Sequence, residues 1–241
     1  MADQQQGKVK GVADIVFLMD ATGSMATCID KLKENLKTFV DALVAPTGND
    51  VSPVKDWRAK VVGYRDADAD TTEWFVDHPF VRDVGQLKSQ FNDLEAKGGG
   101  DTPESLLDAI YKISSMGQIG KQEAEDPSKW RYRSAAARVL VVFTDADFKP
   151  VMVIPEAKGG GLTDVINVVT ANRIILSIFA PEMECFHQLG AIDKAEYLPI
   201  PVEGMGPQAA LAKFTSDPAN FKETLMQLAK SVSKSAETVA L

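Results

Sequence analysis

Cysteine and histidine are scarce in this chain of 241 residues, which contains two of each. Cys28 and Cys185 are too few for a framework of several disulfides, and so low a count is typical of a reducing compartment. We therefore expect both thiols to be reduced. The two histidines, His78 and His187, lie in unrelated segments and have no nearby nucleophile in the sequence, so neither indicates a catalytic centre.

Positive charge and long apolar runs are also lacking. The 26 Lys and Arg residues are outnumbered by 34 Asp and Glu residues, which gives a formal net charge of −8. Nucleic acid and anionic membranes attract basic surfaces, so neither is expected as a primary partner. No apolar run approaches the roughly 20 residues that span a bilayer, and no cationic and then apolar segment opens the chain. These absences predict a soluble, cytoplasmic protein.

The length and the hydrophobic content of 45% predict one large domain with a full core. Residues 1–10 are polar and without periodicity, so we expect a flexible lead-in before a single domain at residues 11–241. Residues 117–133 are rich in Gln, Glu, Lys and Asp, and predict a polar surface insertion.

Strand and helix patterns alternate along the domain. Apolar runs predict six strands, at residues 13–20, 59–64, 72–76, 138–144, 173–179 and 196–200. Apolar residues at helical spacing predict helices at residues 24–43, 84–94, 103–115, 163–172, 181–189 and 218–232. This alternation predicts a doubly wound α/β fold with a mostly parallel sheet and helices on both faces. The link at residues 65–70 is too short for a crossover, so the third strand is expected to be an antiparallel edge strand.

The first predicted strand ends in a group of oxygen-bearing side chains. Asp20, Thr22 and Ser24 follow the buried run at residues 15–19, at the end of a strand where open α/β sheets place their ligands. One carboxylate and two hydroxyls suit a hard divalent cation, Mg²⁺ or Mn²⁺, whereas zinc is disfavoured because no His or Cys joins the group. The alternative is helix capping, since Asp, Ser and Thr are favoured at helix N-termini without any metal.

Two further segments lie where a metal at the strand ends would need them. The glycine-rich run at residues 98–100 leads to Thr102 and Pro103, and the apolar run at residues 141–143 leads to Asp145. If these strand ends are neighbours, the side chains that converge on one cation are Asp20, Thr22, Ser24, Thr102 and Asp145.

This pattern resembles the von Willebrand factor type A domains, whose metal-ion-dependent adhesion site combines Asp-x-Ser/Thr-x-Ser with a distant Thr and a distant Asp. The wording at residues 20–25, 63–66 and 98–104 is most similar to that of intracellular and bacterial members, including those allied to alpha-kinases. The resemblance implies a Rossmann-like fold and a non-enzymatic module whose Mg²⁺ binds an Asp or Glu of a partner protein. It also implies an intracellular scaffold or regulatory subunit, with an AAA ATPase, a kinase, or a stress or defence component as partner.

Several alternatives stay open in the sequence. Asp101 stands beside Thr102, and either side chain could face the cation. The acidic run at residues 66–70 is similar to the start of a calcium-binding loop, but it also fits a solvated hairpin loop. An Asp after the first strand with Mg²⁺ would also suit a phosphoryl-transfer enzyme, although Thr22 occupies the place of the second Asp that such a mechanism needs. A purely structural assembly subunit is the third reading.

Overall fold

The sheet is built from strands at the predicted places. The computed structural model describes residues 11–44, 54–70, 73–99 and 102–237. The strands are β1 (Val12–Asp20), β2 (Asp56–Tyr64), β3 (Phe75–Asp77), β4 (Ala137–Phe143), β5 (Ile174–Pro181) and β6 (Ala195–Ile200). The predictions for residues 1–10, for Thr72 and for Asp101 lie outside the described residues.

The order of the strands in the sheet is β3-β2-β1-β4-β5-β6. All neighbouring strands run parallel except β2 and β3, which are antiparallel. The predicted mixed sheet with one antiparallel edge strand is therefore confirmed. Every residue of β4 and all but the first residue of β1 are buried, as expected for central strands that are covered on both faces.

Seven α-helices are described. They are α1 (Ala26–Val44), α2 (Val84–Asp93), α3 (Leu106–Ser114), α4 (Leu162–Ala171), α5 (Glu184–Gly190), α6 (Pro207–Ser216) and α7 (Pro218–Glu237). The sequence patterns did not predict α6, because only three of its ten residues, Ala210, Leu211 and Thr215, are buried. The predicted start of α5 at residue 181 is also wrong, since Pro181 is the last residue of β5.

Two hydrophobic clusters cover the two faces of the sheet. Phe17 and Met19 of β1 pack in one cluster with residues of α1, α2, α6 and α7. Val16 and Leu18 pack in the other with residues of α3, α4 and α5. Alternate residues of one strand thus enter opposite cores, which is the geometry of a doubly wound sheet. Among the described residues no helix is long and apolar enough to cross a bilayer.

A network of buried ion pairs joins the first strand to the polar segment at residues 117–133. Asp14 is fully buried and accepts hydrogen bonds from Arg58 Nε and Nη2, each at 2.8 Å. It also accepts hydrogen bonds from Arg131 Nε at 2.6 Å and from the Arg131 backbone nitrogen at 2.7 Å. Trp130 is also buried, and its Nε1 donates to the carbonyl of Ile113. The segment is exposed over most of its length but is fixed to the domain at this end.

Replacing Asp14 with Ala should lower the free energy of unfolding by about 3 to 5 kcal/mol, because the buried Arg58 would lose its carboxylate and the buried Arg131 would keep only Asp56. Urea denaturation measures this change. The matched control is Asp41→Asn, which breaks the exposed pair of Lys37 and Asp41 and should change the free energy of unfolding by less than about 1 kcal/mol. Equal effects of the two substitutions would contradict the structural importance of the network.

Candidate metal centre

The carboxyl ends of three adjacent strands carry polar side chains side by side. Asp20 at the end of β1 is the register partner of Tyr64 at the end of β2. On the other side of β1, Phe143 of β4 is the partner of Met19, so the next residue, Thr144, lies beside Asp20. The Thr144 hydroxyl donates a hydrogen bond of 2.9 Å to Asp20 Oδ2. The topology of the sheet therefore brings the ends of β1 and β4 together, as the sequence predicted.

The loop after β1 holds Asp20 in a fixed orientation. Asp20 Oδ1 accepts hydrogen bonds from the Thr22 backbone nitrogen at 2.9 Å and from Thr22 Oγ1 at 2.6 Å. Thr22 Oγ1 lies 3.3 Å from Ser24 Oγ. Thr22 precedes the short 3₁₀ turn Gly23–Met25, but its side chain makes no capping hydrogen bond there. The three predicted oxygen donors of this loop are together, and the Thr22 hydroxyl is directed to Asp20 rather than to helix capping.

Asp145 is the least satisfied side chain of the centre. It is buried, and neither of its carboxylate oxygens has a hydrogen-bond partner of good geometry among the described residues, although the Ser24 hydroxyl is near enough to lower its pKa. Burial raises the pKa of Asp145 above its ordinary value. Burial also raises the pKa of Asp20 to about 6, with a further contribution from the charge of Asp145 and an opposing one from the hydrogen bonds of Thr22. Two carboxylates that repel each other thus lie in a dry part of the protein.

The side chain that approaches the loop after β1 is Glu104, and not Thr102. Thr102 is exposed, whereas Glu104 is buried and its Oε2 has no hydrogen-bond partner in the described part of the chain. A Cβ atom placed on Gly99 would lie 2.9 Å from Glu104 Oε1 and 2.5 Å from Thr22 Cγ2, which shows how closely these groups approach. Burial, followed by the charge of Asp20, raises the pKa of Glu104 to about 8.

Glu104 was not predicted as a site residue from the sequence, although it follows the glycine-rich run at residues 98–100 closely. The Glu104 nitrogen donates to the carbonyl of Asp147, and the Lys149 nitrogen donates to the carbonyl of Glu104, each at 2.9 Å. The loop that carries Glu104 is thereby paired with the segment that follows Asp145. A carboxylate just before a helix is ordinarily explained by the helix dipole, so the sequence alone gives it no special meaning.

Glycine is required where the glycine-rich segment meets the loop of β1. Gly98 and Gly99 have φ angles of +69° and +92°, a region that residues with side chains rarely adopt. Gly99 also donates from its nitrogen to Asp70 Oδ2 at 3.0 Å. The two glycines therefore give the backbone a path that is closed to most residues with side chains.

The side chain of Arg65 holds the backbone segments around the centre together by hydrogen bonds. Its side chain is buried and donates to the carbonyls of Ala21 at 3.2 Å, Glu73 at 2.6 Å and Glu95 at 2.7 Å. The Ala21 carbonyl also accepts a hydrogen bond from the Lys97 nitrogen at 3.0 Å. Three loops are held to one guanidinium, and the residue that follows Asp20 is held with them.

The acidic run at residues 66–70 has partners within the protein. Lys149 Nζ lies 2.6 Å from Asp66 Oδ1 and 2.7 Å from Asp68 Oδ2, while Asp70 accepts the hydrogen bond from Gly99. These contacts favour the hairpin-loop interpretation over a calcium-binding loop. Among the described residues no group of three or more His, Cys, Asp and Glu side chains has the arrangement of a metal site. The argument for a cation therefore depends on carboxylates and hydroxyls together.

The donor set nevertheless fits a hard divalent cation. Carboxylate and hydroxyl oxygens are the ligands that Mg²⁺ prefers, and buried carboxylates without partners are costly unless a positive charge balances them. The side chains that could hold the ion are Asp20, Thr22, Ser24 and Asp145, and the buried carboxyl group of Glu104 lies near them.

Comparison with known proteins adds a family match. The sequence model of the von Willebrand factor type A domain matches residues 14–223. No curated protein sequence matches the chain at a significant level.

The solved structures to which the chain is similar include a pilus adhesin and a matrix protein of the mussel byssus. The open conformation of the pilus adhesin SpaC from Lactobacillus rhamnosus GG has 12% sequence identity and a TM-score of 0.49. The match covers 93% of this chain and 31% of the SpaC chain. Another crystal structure of SpaC has 10% sequence identity and a TM-score of 0.47, and the match covers 93% of this chain and 31% of SpaC. Proximal thread matrix protein 1 from the mussel byssus has 14% sequence identity and a TM-score of 0.46. The match covers 90% of this chain and 47% of that protein. The chain thus spans less than half the length of each of these proteins.

The pKa shifts at the centre predict how pH affects the metal-free protein. A carboxyl group whose folded pKa is raised above its unfolded value stabilises the fold fully below the unfolded pKa, and this contribution is lost as the pH rises through the folded pKa. For Asp20 and Glu104 the raised values are about 6 and about 8. The melting temperature in EDTA should therefore fall between about pH 4 and about pH 8.

The matched variant for this prediction is Asp145→Asn, since it removes the buried charge and keeps the shape of the side chain. In EDTA it should melt at a higher temperature than the wild type at about pH 8, and the difference should shrink towards about pH 4. Identical pH profiles of the two proteins would show that Asp145 carries no unfavourable buried charge.

Proposed function

This chain belongs to the von Willebrand factor type A domain family, whose members are protein-interaction modules, and we propose that it binds a partner protein through a Mg²⁺ ion at the carboxyl ends of β1 and β4. The partner supplies the carboxylate of an Asp or Glu. Mn²⁺ is expected to replace Mg²⁺, because it takes similar oxygen ligands.

The observation that carries this proposal is the state of Asp145. Its two oxygens are buried and have no hydrogen-bond partner among the described residues, and they lie close enough to Asp20 for the two charges to interact. An arrangement that buries negative charge without a partner lowers stability, so a protein retains it where a ligand supplies the balancing charge. In the bound state the cation supplies a positive charge to which a carboxylate from outside is attracted.

Each side chain has its own part in holding the ion. Asp20 and Asp145 supply charge, while Thr22 and Ser24 supply neutral oxygens from one loop. Glu104 adds a third acidic group near the ion, and its charge increases the attraction for the cation but weakens the remaining pull on an incoming anion. We infer that the ion is held tightly and that much of the affinity for a partner comes from the protein surface around it.

The cellular role is proposed more broadly. The wording of the motifs, most similar to that of intracellular members, supports an intracellular scaffold or regulatory subunit in the cytoplasm. It also supports an AAA ATPase, a kinase, or a stress or defence component as the partner. The acidic composition supports the proposal that nucleic acid and membranes are not partners.

Metal binding is tested by isothermal titration calorimetry with Mg²⁺ and Mn²⁺. The substitutions Asp20→Ala and Asp145→Asn should each weaken binding by at least about tenfold, because each removes a charged ligand. Asp147→Asn is the matched control, since Asp147 stands two residues from Asp145 on the same loop but is exposed. Wild-type affinity in the double variant Asp20→Ala, Asp145→Asn would refute the assignment of the site.

A second comparison decides between Glu104 and Thr102 as the third side chain. Glu104→Gln should weaken Mn²⁺ binding by about tenfold, while Thr102→Ala should change it by less than about twofold, because only Glu104 is buried against Thr22. The reverse ranking would return Thr102 to the position that the family pattern gives it.

The bridging role is tested with the partner itself. Tagged protein is used to capture partners from the native lysate in Mg²⁺, in EDTA and with Asp20→Ala, and mass spectrometry identifies them. A partner lost in both controls, whose binding is also abolished when one of its own Asp or Glu residues is replaced by Asn or Gln, supports the proposal. A partner retained in all three conditions would instead support a purely structural assembly subunit.

We propose that the protein is not an enzyme. In a phosphoryl-transfer mechanism Asp20 would act as nucleophile, but its two oxygens accept hydrogen bonds from Thr22 and Thr144, and Thr22 stands where a second acid would be needed. An assay with p-nitrophenyl phosphate and Mg²⁺ should show no turnover. Turnover that is lost in Asp20→Asn would contradict this proposal.

A further inference from the structure

Arginine residues gather at the amino ends of β4 and β5, on the edge of the sheet opposite to the candidate metal centre. Arg138 is the second residue of β4, Arg133 precedes that strand, and Arg173 directly precedes β5. Arg138 is buried, whereas Arg133 and Arg173 are exposed. In a chain with a formal net charge of −8, this group is a local excess of positive charge.

Neutral oxygen atoms hold the buried guanidinium of Arg138. Its Nε and Nη2 donate to the Arg131 carbonyl at 3.2 and 2.8 Å, and its Nη1 donates to the Asn172 carbonyl at 3.1 Å. Nη2 also donates to Gln118 Oε1. One guanidinium thus holds together the two segments that lead into β4 and β5.

The carboxylate beside Arg138 on the neighbouring strand is already paired. Asp14 of β1 is the register partner of Arg138, but it forms its ion pairs with Arg58 and Arg131. Within the part of the chain that the structure describes, Arg138 has no ion pair of its own. Its positive charge is therefore buried without a carboxylate in contact.

Arg133 and Arg173 extend this unbalanced charge to the surface. Neither forms an ion pair or a side-chain hydrogen bond with another described residue. Burial lowers the pKa of Arg138 to about 10, although the charge of Asp14 opposes the shift. The charges of Arg133, Arg173 and Arg58 contribute to the lowering. The two exposed arginines therefore lie close enough to the buried one for their charges to repel it.

The backbone of Arg173 has a conformation that arginine rarely adopts. Its φ angle is +54°, and its nitrogen donates to the Thr170 carbonyl at 3.1 Å just after α4. Glycine or asparagine usually occupies such a position after a helix, because other residues are strained there. A positive charge near the end of a helix is favourable, but an arginine in the last turn would supply it without strain. Strain at this residue therefore points to a use of its side chain outside the fold.

We propose that Arg133 and Arg173 bind a phosphate group, with Arg138 as a fixed buried charge between their two segments. The planar donors of a guanidinium match the oxygens of a carboxylate or a phosphate. One arginine satisfies a carboxylate, whereas a phosphate group has up to two negative charges and at least three acceptor oxygens, which suit two arginines near a third. The group belongs to a free phosphate compound or to a phosphorylated side chain of a partner protein. The proposed site is separate from the metal centre and does not depend on it.

Isothermal titration calorimetry with sodium pyrophosphate tests the site. EDTA is present throughout, so that the metal centre holds no cation to which the phosphate could bind. The wild type should bind, and Arg133→Ala and Arg173→Gly should each weaken binding by at least about tenfold, because each removes a charged donor. Wild-type affinity in both variants would overturn the proposal.

Lys222→Ala is the matched control for the loss of one positive charge. Lys222 is exposed on α7, which packs on the other face of the sheet from α4. Its replacement should change the Kd for pyrophosphate by less than about twofold, because a screened charge at a distance contributes little. A loss as large as that in Arg173→Gly would show attraction to the net charge alone and would contradict a localised site.

Thermal unfolding separates binding from stability. Arg173→Gly should melt at the same temperature as the wild type or higher, because glycine adopts a positive φ without strain. A lower melting temperature would show that the fold itself requires the arginine, and would overturn the assignment of Arg173 to a ligand.

Two peptides identify the source of the phosphate group. A glycine-serine peptide with one phosphoserine is compared with the same peptide carrying aspartate at that place. Tighter binding of the phosphopeptide than of pyrophosphate supports a phosphorylated partner protein, whereas binding of pyrophosphate alone supports a free phosphate compound. Equal binding of the two peptides would contradict the preference for phosphate over carboxylate. A wild type that binds neither pyrophosphate nor the phosphopeptide would refute the site.

Discussion

Buried negative charge is the constraint on which both ends of this sheet depend. At the amino end of β1, Asp14 is enclosed by the guanidinium groups of Arg58 and Arg131, and the charge is balanced within the protein. At the carboxyl end, Asp20 is held by hydroxyl and amide donors, and the buried oxygens of Asp145 have no hydrogen-bond partner among the described residues. The first arrangement balances its buried charge within the protein, whereas no described basic side chain pairs with the carboxylates of the second.

Several hydrogen bonds hold the backbone around the candidate centre in place. Arg65 ties three loops to one guanidinium, and the backbone of Glu104 is paired with the segment after Asp145. The backbone segments that carry the carboxylates are therefore held together. Such preorganisation lowers the stability of the empty site but avoids a reorganisation cost when a ligand enters.

Helices and strands could be predicted where apolar residues recur at the spacing of the element and are also buried in the structure. The strand at residues 12–20 and the helix at residues 26–44 follow directly from apolar runs and helical spacing. The helix Pro207–Ser216 was missed because few of its residues are buried, so its amphipathic signal is weak. Residues 130 and 131 lie in a segment of polar composition, and partners that are distant along the chain, Asp14 and Asp56, explain why Arg131 is buried.

The sequence by itself determined the fold class, the antiparallel edge strand and the convergence of Asp20, Thr22 and Ser24, because each of these depends on residues that are close together along the chain. Only the tertiary structure decided that Glu104 lies in the centre while Thr102 is exposed, since a loop of positive-φ glycines sets the direction of both side chains. It also decided that Tyr64 lies beside Asp20, because that depends on the register between β1 and β2. Spacing along the chain brings candidate ligands to one edge of the sheet, but the register and the backbone angles choose which of them face each other.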